Sequence, residues 1–161
     1  MRLKDCHNFR DFRRLAEQRL PSPIFNYIDG GADDEVTMRR NTAAFEACDL
    51  VPSVLRGVTD VDLSVTVMGQ KIDLPVYLSP TALQRLFHHQ GERATAAAAE
   101  KFGTLFGVSS LGTVSMEELA KKHRTPQVYQ FYFHKDRGLN RAMMEKARQC
   151  GIKVMMLTVD S

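Results

Sequence analysis

The chain has no tryptophan, only three cysteines, and no apolar run near the roughly 18 residues that a membrane-spanning helix needs. Cys6, Cys48 and Cys150 are far apart and odd in number. That fits neither a zinc spacing nor a disulfide framework, and it points to a reducing, cytoplasmic setting. The opening Met1-Arg2-Leu3-Lys4-Asp5 leads into a charged amphipathic stretch, so no secretory signal is expected. Peripheral attachment to a membrane is left open by these features.

An excess of charge is missing too. Twenty-two Lys and Arg stand against 19 Asp and Glu, a formal net charge of +3. The two signs alternate along the chain with no basic stripe, so no nucleic-acid partner is expected. What is present is ordinary globular composition, 43% hydrophobic and 25% charged, enough to build a core.

Residues 1–60 read as a helical preface. Asn8 can cap a helix whose apolar face is Phe9, Phe12, Leu15 and Ala16. Pro21-Ser22-Pro23 breaks it, and Ser22 as cap with Pro23 at the first helical position starts a second, which Gly30-Gly31 ends. Asp33-Asp34-Glu35 opens a third helix that runs to about Ala47. In residues 61–74, Val61, Leu63, Val65 and Val67 alternate with polar residues, Gly69-Gln70 turns, and Lys71 to Leu74 returns as a hairpin.

Residues 75–161 then alternate strand and helix. The strands are expected at Val76–Ser79, Thr104–Val108, Gln127–Tyr132 and Lys153–Val159. The helices between them fall at about Glu92–Phe102, after a Ser115/Glu118 capping box, and at about Leu139–Cys150. This spacing makes βαβ units and a parallel sheet. A doubly wound sheet should carry Gly-x-Gly-x-x-Gly after its first strand, where this chain has Ser79-Pro80-Thr81-Ala82. A (β/α)₈ TIM barrel instead places its chemistry at the C-terminal ends of several strands. All four strands here end in polar residues, so the α/β barrel is the expected fold. A whole barrel takes roughly 250 residues, and four strands leave an open edge, so the chain is expected to be a fragment.

Gln130 and Tyr132 are two apart on one strand and share a face, as do Thr158 and Asp160. Polar groups turned into an apolar barrel are costly unless something binds them, and mutual hydrogen bonding is the plainer alternative. His88 and His89 read as solvated loop residues, Arg39-Arg40 as a solvated helix face, and Met143, Met144, Met155 and Met156 as packing.

Together these motifs carry a resemblance. Phe25-Asn26-Tyr27-Ile28-Asp29-Gly30-Gly31-Ala32-Asp33-Asp34-Glu35, with Thr37 and Arg40-Asn41, resembles the N-terminal signature of the FMN-dependent α-hydroxy acid dehydrogenases and oxidases. Ser79-Pro80-Thr81-Ala82, Ser109-Ser110, Gln130-Phe131-Tyr132 and Leu157-Thr158-Val159-Asp160 resemble that family's first four strand ends, in order. The resemblance implies that the Pro80, Thr81 and Ala82 backbone meets the flavin ring, and that Ser109, Gln130 and Thr158 hydrogen-bond it. It implies that Tyr27 binds the substrate carboxylate and that Tyr132 lies near the reacting carbon. Asp160 would orient a catalytic histidine. That histidine, the substrate-binding arginine, the flavin-side lysine and most of the phosphate site belong to later strands of the family, and neither His88 nor His89 matches the histidine. Leu111 stands where some oxidases have an aromatic residue.

The activity so implied is oxidation of a small L-2-hydroxy acid to the 2-oxo acid, with FMN as cofactor and oxygen, a quinone or a cytochrome as acceptor. The family's homo-oligomers make a homo-oligomer the corresponding expectation. Two other readings stand beside it: another FMN-binding barrel enzyme such as an isomerase, and a non-catalytic half-barrel remnant. Tyr27 in its Gly-Gly-Ala-Asp setting argues against the isomerase.

Overall fold

The computed structural model describes residues 2–160 and divides into two compact units, Met1–Thr59 and Asp60–Ser161. In the first unit, α1 (Phe9–Arg19) is capped by Asn8, whose side chain accepts from the Asp11 amide. Leu15 is the residue it buries. The second helix, α2 (Ser22–Asp29), starts one residue earlier than expected, with Pro21 as its cap and Pro23 in its first turn. Arg13 of α1 grips Asp29 of α2 with two bonds of 2.5 and 2.6 Å, which holds the Asp29 carboxyl below its usual range. The third helix, α3 (Val36–Glu46), has Glu35 of the acidic run at its N-cap position but no capping bond from that side chain. Glu35 sits there in a left-handed conformation and turns its carboxylate back to the Gly31 amide, 3.1 Å away.

The second unit opens with a hairpin, β1 (Val65–Val67) and β2 (Gln70–Ile72), antiparallel with Val65 opposite Ile72. The strand expected from Val61 is shorter than its alternation suggests. Asp62 accepts from the Ser64 amide at 2.8 Å, a local turn that diverts the backbone from pairing. Ile72, Leu105 and Val128 form a small core with Val65, Val67, Tyr77, Val154 and Met156 packed on it.

The remainder alternates: α4 (Glu92–Lys101), β3 (Phe106–Ser109), α5 (Met116–Lys122), β4 (Gln127–Tyr132), α6 (Arg137–Gln149) and β5 (Val154–Thr158). The three strands form one parallel sheet in the order β3-β4-β5. The strand expected at Val76–Ser79 is reduced to a single parallel bridge between Leu78 and Phe106. Two bonds hold it, from Leu78 N to Leu105 O and from Gly107 N to Leu78 O. Pro75 and Pro80 flank this segment, and neither has an amide hydrogen to extend the ladder. Gly107 permits the approach: a Cβ there would lie 2.4 Å from the Pro80 nitrogen. At the far end of α4, Gly103 has φ +60°, and a Cβ would lie 1.9 Å from an Asp73 carboxylate oxygen.

The helix-side face of the sheet carries the larger core. Phe106, Val108, Tyr129 and Phe131 pack with Ala96, Ala99, Leu119 and Ala147 from α4, α5 and α6. Each fully buried aliphatic or phenyl side chain here contributes roughly 1.5–3 kcal/mol. Ser115 caps α5 by accepting from the Glu118 amide, but Glu118 turns its carboxylate to Arg93 and Lys122 instead of completing a capping box. Asp136 caps α6 by accepting from the Gly138 and Leu139 amides, so the helix begins at Arg137, two residues before the expected start. No described helix is long and apolar enough to cross a membrane.

Candidate active site

The register of the sheet decides which polar side chains meet. Ser109, the last residue of β3, pairs with Gln130 of β4, and Tyr132 pairs with Thr158 of β5. Gln130, one of the buried polar residues, joins all three strands. Its Oε1 accepts from Ser109 Oγ at 3.3 Å and from the Ser110 amide and Ser110 Oγ, each at 3.2 Å. Its Nε2 donates to Thr158 Oγ1 at 2.7 Å. Ser109 Oγ in turn accepts from the Leu111 amide at 3.1 Å. Ser109, Gln130 and Thr158 therefore form one hydrogen-bonded row across the C-terminal ends of three parallel strands. Mutual bonding satisfies part of their capacity, as the plainer alternative anticipates, but not all of it. One Gln130 N–H and the Thr158 hydroxyl proton remain as donors beyond the bonds described.

The segment after the Leu78 bridge runs beside this row. Pro80 and Ala82 are half-buried and Thr81 is exposed. Gln84 Nε2 donates to the Thr81 carbonyl at 3.3 Å, and the Leu83 amide donates to Leu111 O at 3.1 Å, tying this loop to the one after β3. Tyr132 is half-buried, whereas Asp160 lies exposed beyond the end of β5. Tyr27 belongs to the other unit, exposed on α2 at 64%. The row of Ser109, Gln130 and Thr158, with the Pro80–Ala82 loop and Tyr132 in the same unit, is what the sheet assembles.

Several residues that build this region were not anticipated. Glu92 is 1% exposed on the face of α4 that also buries Ala96 and Ala99. Its Oε1 accepts from the Thr113 amide at 2.7 Å, and its Oε2 from Thr113 Oγ1 at 2.6 Å. Asn140 is 2% exposed and exchanges two bonds with the backbone of His134, holding the loop that follows Tyr132. Both had a sequence signal: each stands at the helical spacing of the apolar positions of its own helix. His88 and His89 are exposed neighbours in a loop, as expected. Among the described residues no cluster of His, Cys, Asp or Glu could hold a metal ion.

A parallel α/β sheet with a polar row across the C-terminal ends of its strands is the arrangement that the class of (β/α)₈ barrels carries at its C-terminal face. The sequence profile of FMN-dependent dehydrogenases matches residues 16–161, and the chain belongs to that family. It is 42% identical to an L-lactate oxidase of Nostoc over 158 residues, which are 96% of this chain and 43% of that protein. Against spinach glycolate oxidase the identity is 36% over 154 residues, 96% of this chain and 42% of that protein. The structure superposes on mandelate oxidase with a TM-score of 0.84 at 33% identity, over 93% of this chain and 45% of that one. It matches a mutant of the active chimera of (S)-mandelate dehydrogenase with a TM-score of 0.86 at 33% identity, over 95% of this chain and 43% of that one. The fold is thus that of the FMN-dependent (β/α)₈ barrels, in part and without closure: the chain spans less than half the length of the curated relatives it matches.

Proposed function

We propose that the whole protein to which this chain belongs oxidises small L-2-hydroxy acids to 2-oxo acids, with this chain supplying the ring-facing side of the FMN site. The observation that carries the reading is the row of Ser109, Gln130 and Thr158, bonded across three strand ends. Its spare donors suit the carbonyl and ring-nitrogen acceptors of an isoalloxazine, so the residues present fit the cofactor. When bound, FMN would supply the two-electron acceptor for oxidation at the substrate's α-carbon.

The chain's own groups bind and orient. The Pro80–Ala82 backbone meets the ring, while Gln130 and Thr158 fix its polar edge. Tyr132 hydrogen-bonds the substrate oxygen at the reacting carbon. Tyr27 donates to the substrate carboxylate, a role that rests on the resemblance, since it belongs to the other unit. Asp160 orients the histidine that takes the hydroxyl proton and stabilises its charged form. The acceptor is oxygen, a quinone or a cytochrome and the assembly a homo-oligomer, both by the same resemblance, while the cytoplasm as compartment rests on the scattered, odd-numbered cysteines.

The test is a steady-state assay of the full-length protein on L-lactate, glycolate and (S)-mandelate, with oxygen or an artificial acceptor. Formation of the matching 2-oxo acid, with L preferred over D, is the expected result. Absence of turnover on all three, with flavin bound, would sink the proposal.

A further inference from the structure

We propose that the buried Glu92 is a positioning residue for the flavin: with Thr95 on the same helix, it holds two ring-facing loops in register. The inference rests on the functional reading above and adds to it a part for α4. A position on the face shared with Ala96 and Ala99 needs only a small apolar side chain for packing. A carboxylate buried there is costly unless hydrogen bonds compensate it, and Glu92 receives two, both from Thr113. Thr113 lies four residues beyond Ser109, and Thr113 Oγ1 also accepts from the Arg85 amide at 3.2 Å, on the other loop.

A second arm starts one turn further along α4. Thr95 Oγ1 donates to Gln84 Oε1 at 2.8 Å, and Gln84 Nε2 holds the Thr81 carbonyl. The Leu83 amide to Leu111 O closes the ring of contacts between the loops. These bonds fall on the segments that carry Thr81, Ala82, Ser109 and Ser110. Groups of this kind, which touch no ligand themselves, typically change affinity or activity roughly tenfold or more when removed.

The experiment compares the full-length wild type with Thr113→Val, Thr95→Val and Glu92→Gln by hydrogen exchange of the apoprotein and by FMN titration. Thr113→Val is near-isosteric and should speed exchange at Leu83, Arg85 and Thr113 at least about tenfold while β3–β5 amides keep their protection. FMN affinity should fall at least about tenfold in the same variant. Glu92→Gln, which can still accept from the Thr113 amide, should keep affinity within about threefold of the wild type. If Thr113→Val does not fold, Thr95→Val cuts the Gln84 arm alone and should release Leu83 and weaken FMN in the same direction.

Unchanged local exchange would overturn the proposal, as would a rise spread evenly over β3–β5, which marks a merely structural role. Local opening with unaltered FMN affinity would overturn it as well. A wild type that bound no FMN would bring down the functional reading and the proposal together, and the titration separates that failure from loss of the clamp alone.

Discussion

Tyr132 and Tyr27 offer the sharpest contrast between two side chains of one type. Tyr132 ends β4 beside the Gln130 row, and in its proposed role its hydroxyl interacts more strongly as the reacting carbon changes hybridisation. Tyr27 stands on α2 and is assigned a carboxylate whose charge hardly changes during the reaction. Tyr132→Phe should therefore lower kcat, whereas Tyr27→Phe should chiefly raise KM, by the roughly 1.5–3 kcal/mol of one hydrogen bond to a charged group. Steady-state kinetics of the full-length variants, with flavin content matched by absorbance, measures both. A kcat effect confined to Tyr27→Phe would reverse the two assignments. The shared face of Gln130 and Tyr132 was legible from a two-residue spacing. That Gln130 would reach both serines on one side and Thr158 on the other was not, because it depends on strand register.

Between elements, charge does what periodicity cannot foretell. Arg93 of α4 holds Glu118 of α5 with bonds of 2.6 and 3.0 Å, and Lys122 adds a third at 2.8 Å. The Arg93 and Lys122 bonds hold the Glu118 carboxyl at about 2, below the ordinary 4.5. A depressed carboxyl contributes stability that is fully present above about pH 4.5 and is lost as pH falls toward 2. The thermal midpoint should drop over that window, and in Glu118→Gln the drop should be smaller. Equal acid sensitivity in both proteins would show that the α4–α5 bridge is not its source. Helices and strands were mostly legible from spacing and caps. The exceptions have local causes: prolines reduce the first strand to a bridge, the Asp62 turn shortens the hairpin, and Asp136 starts α6 early.

The second unit carries an open sheet with an apolar flank. Met155, Leu157 and Val159 are 41%, 53% and 82% exposed along β5 and just beyond it. The barrel itself was legible in the βαβ rhythm and the absent dinucleotide motif, and its family in motif order. Glu92 and Asn140 were overlooked because a polar residue at a core position is informative only once the loop it satisfies is in view. The 161-residue chain alone should bind FMN weakly or not at all, because the phosphate contacts belong to later strands by the resemblance. Each missing charge-assisted bond forfeits roughly 1.5–3 kcal/mol. Fluorescence titration giving submicromolar affinity for the isolated chain would refute this.

The most direct test of the account is the reductive half-reaction of the full-length protein. FMN-loaded protein is mixed anaerobically with L-lactate, glycolate or (S)-mandelate, and the flavin absorption is followed. At least one of the three should bleach the flavin and yield one 2-oxo acid per FMN, with the Gln130→Leu variant bleaching more slowly. Stable FMN binding with no bleaching by any of them would contradict the proposed 2-hydroxy acid oxidation by the whole protein.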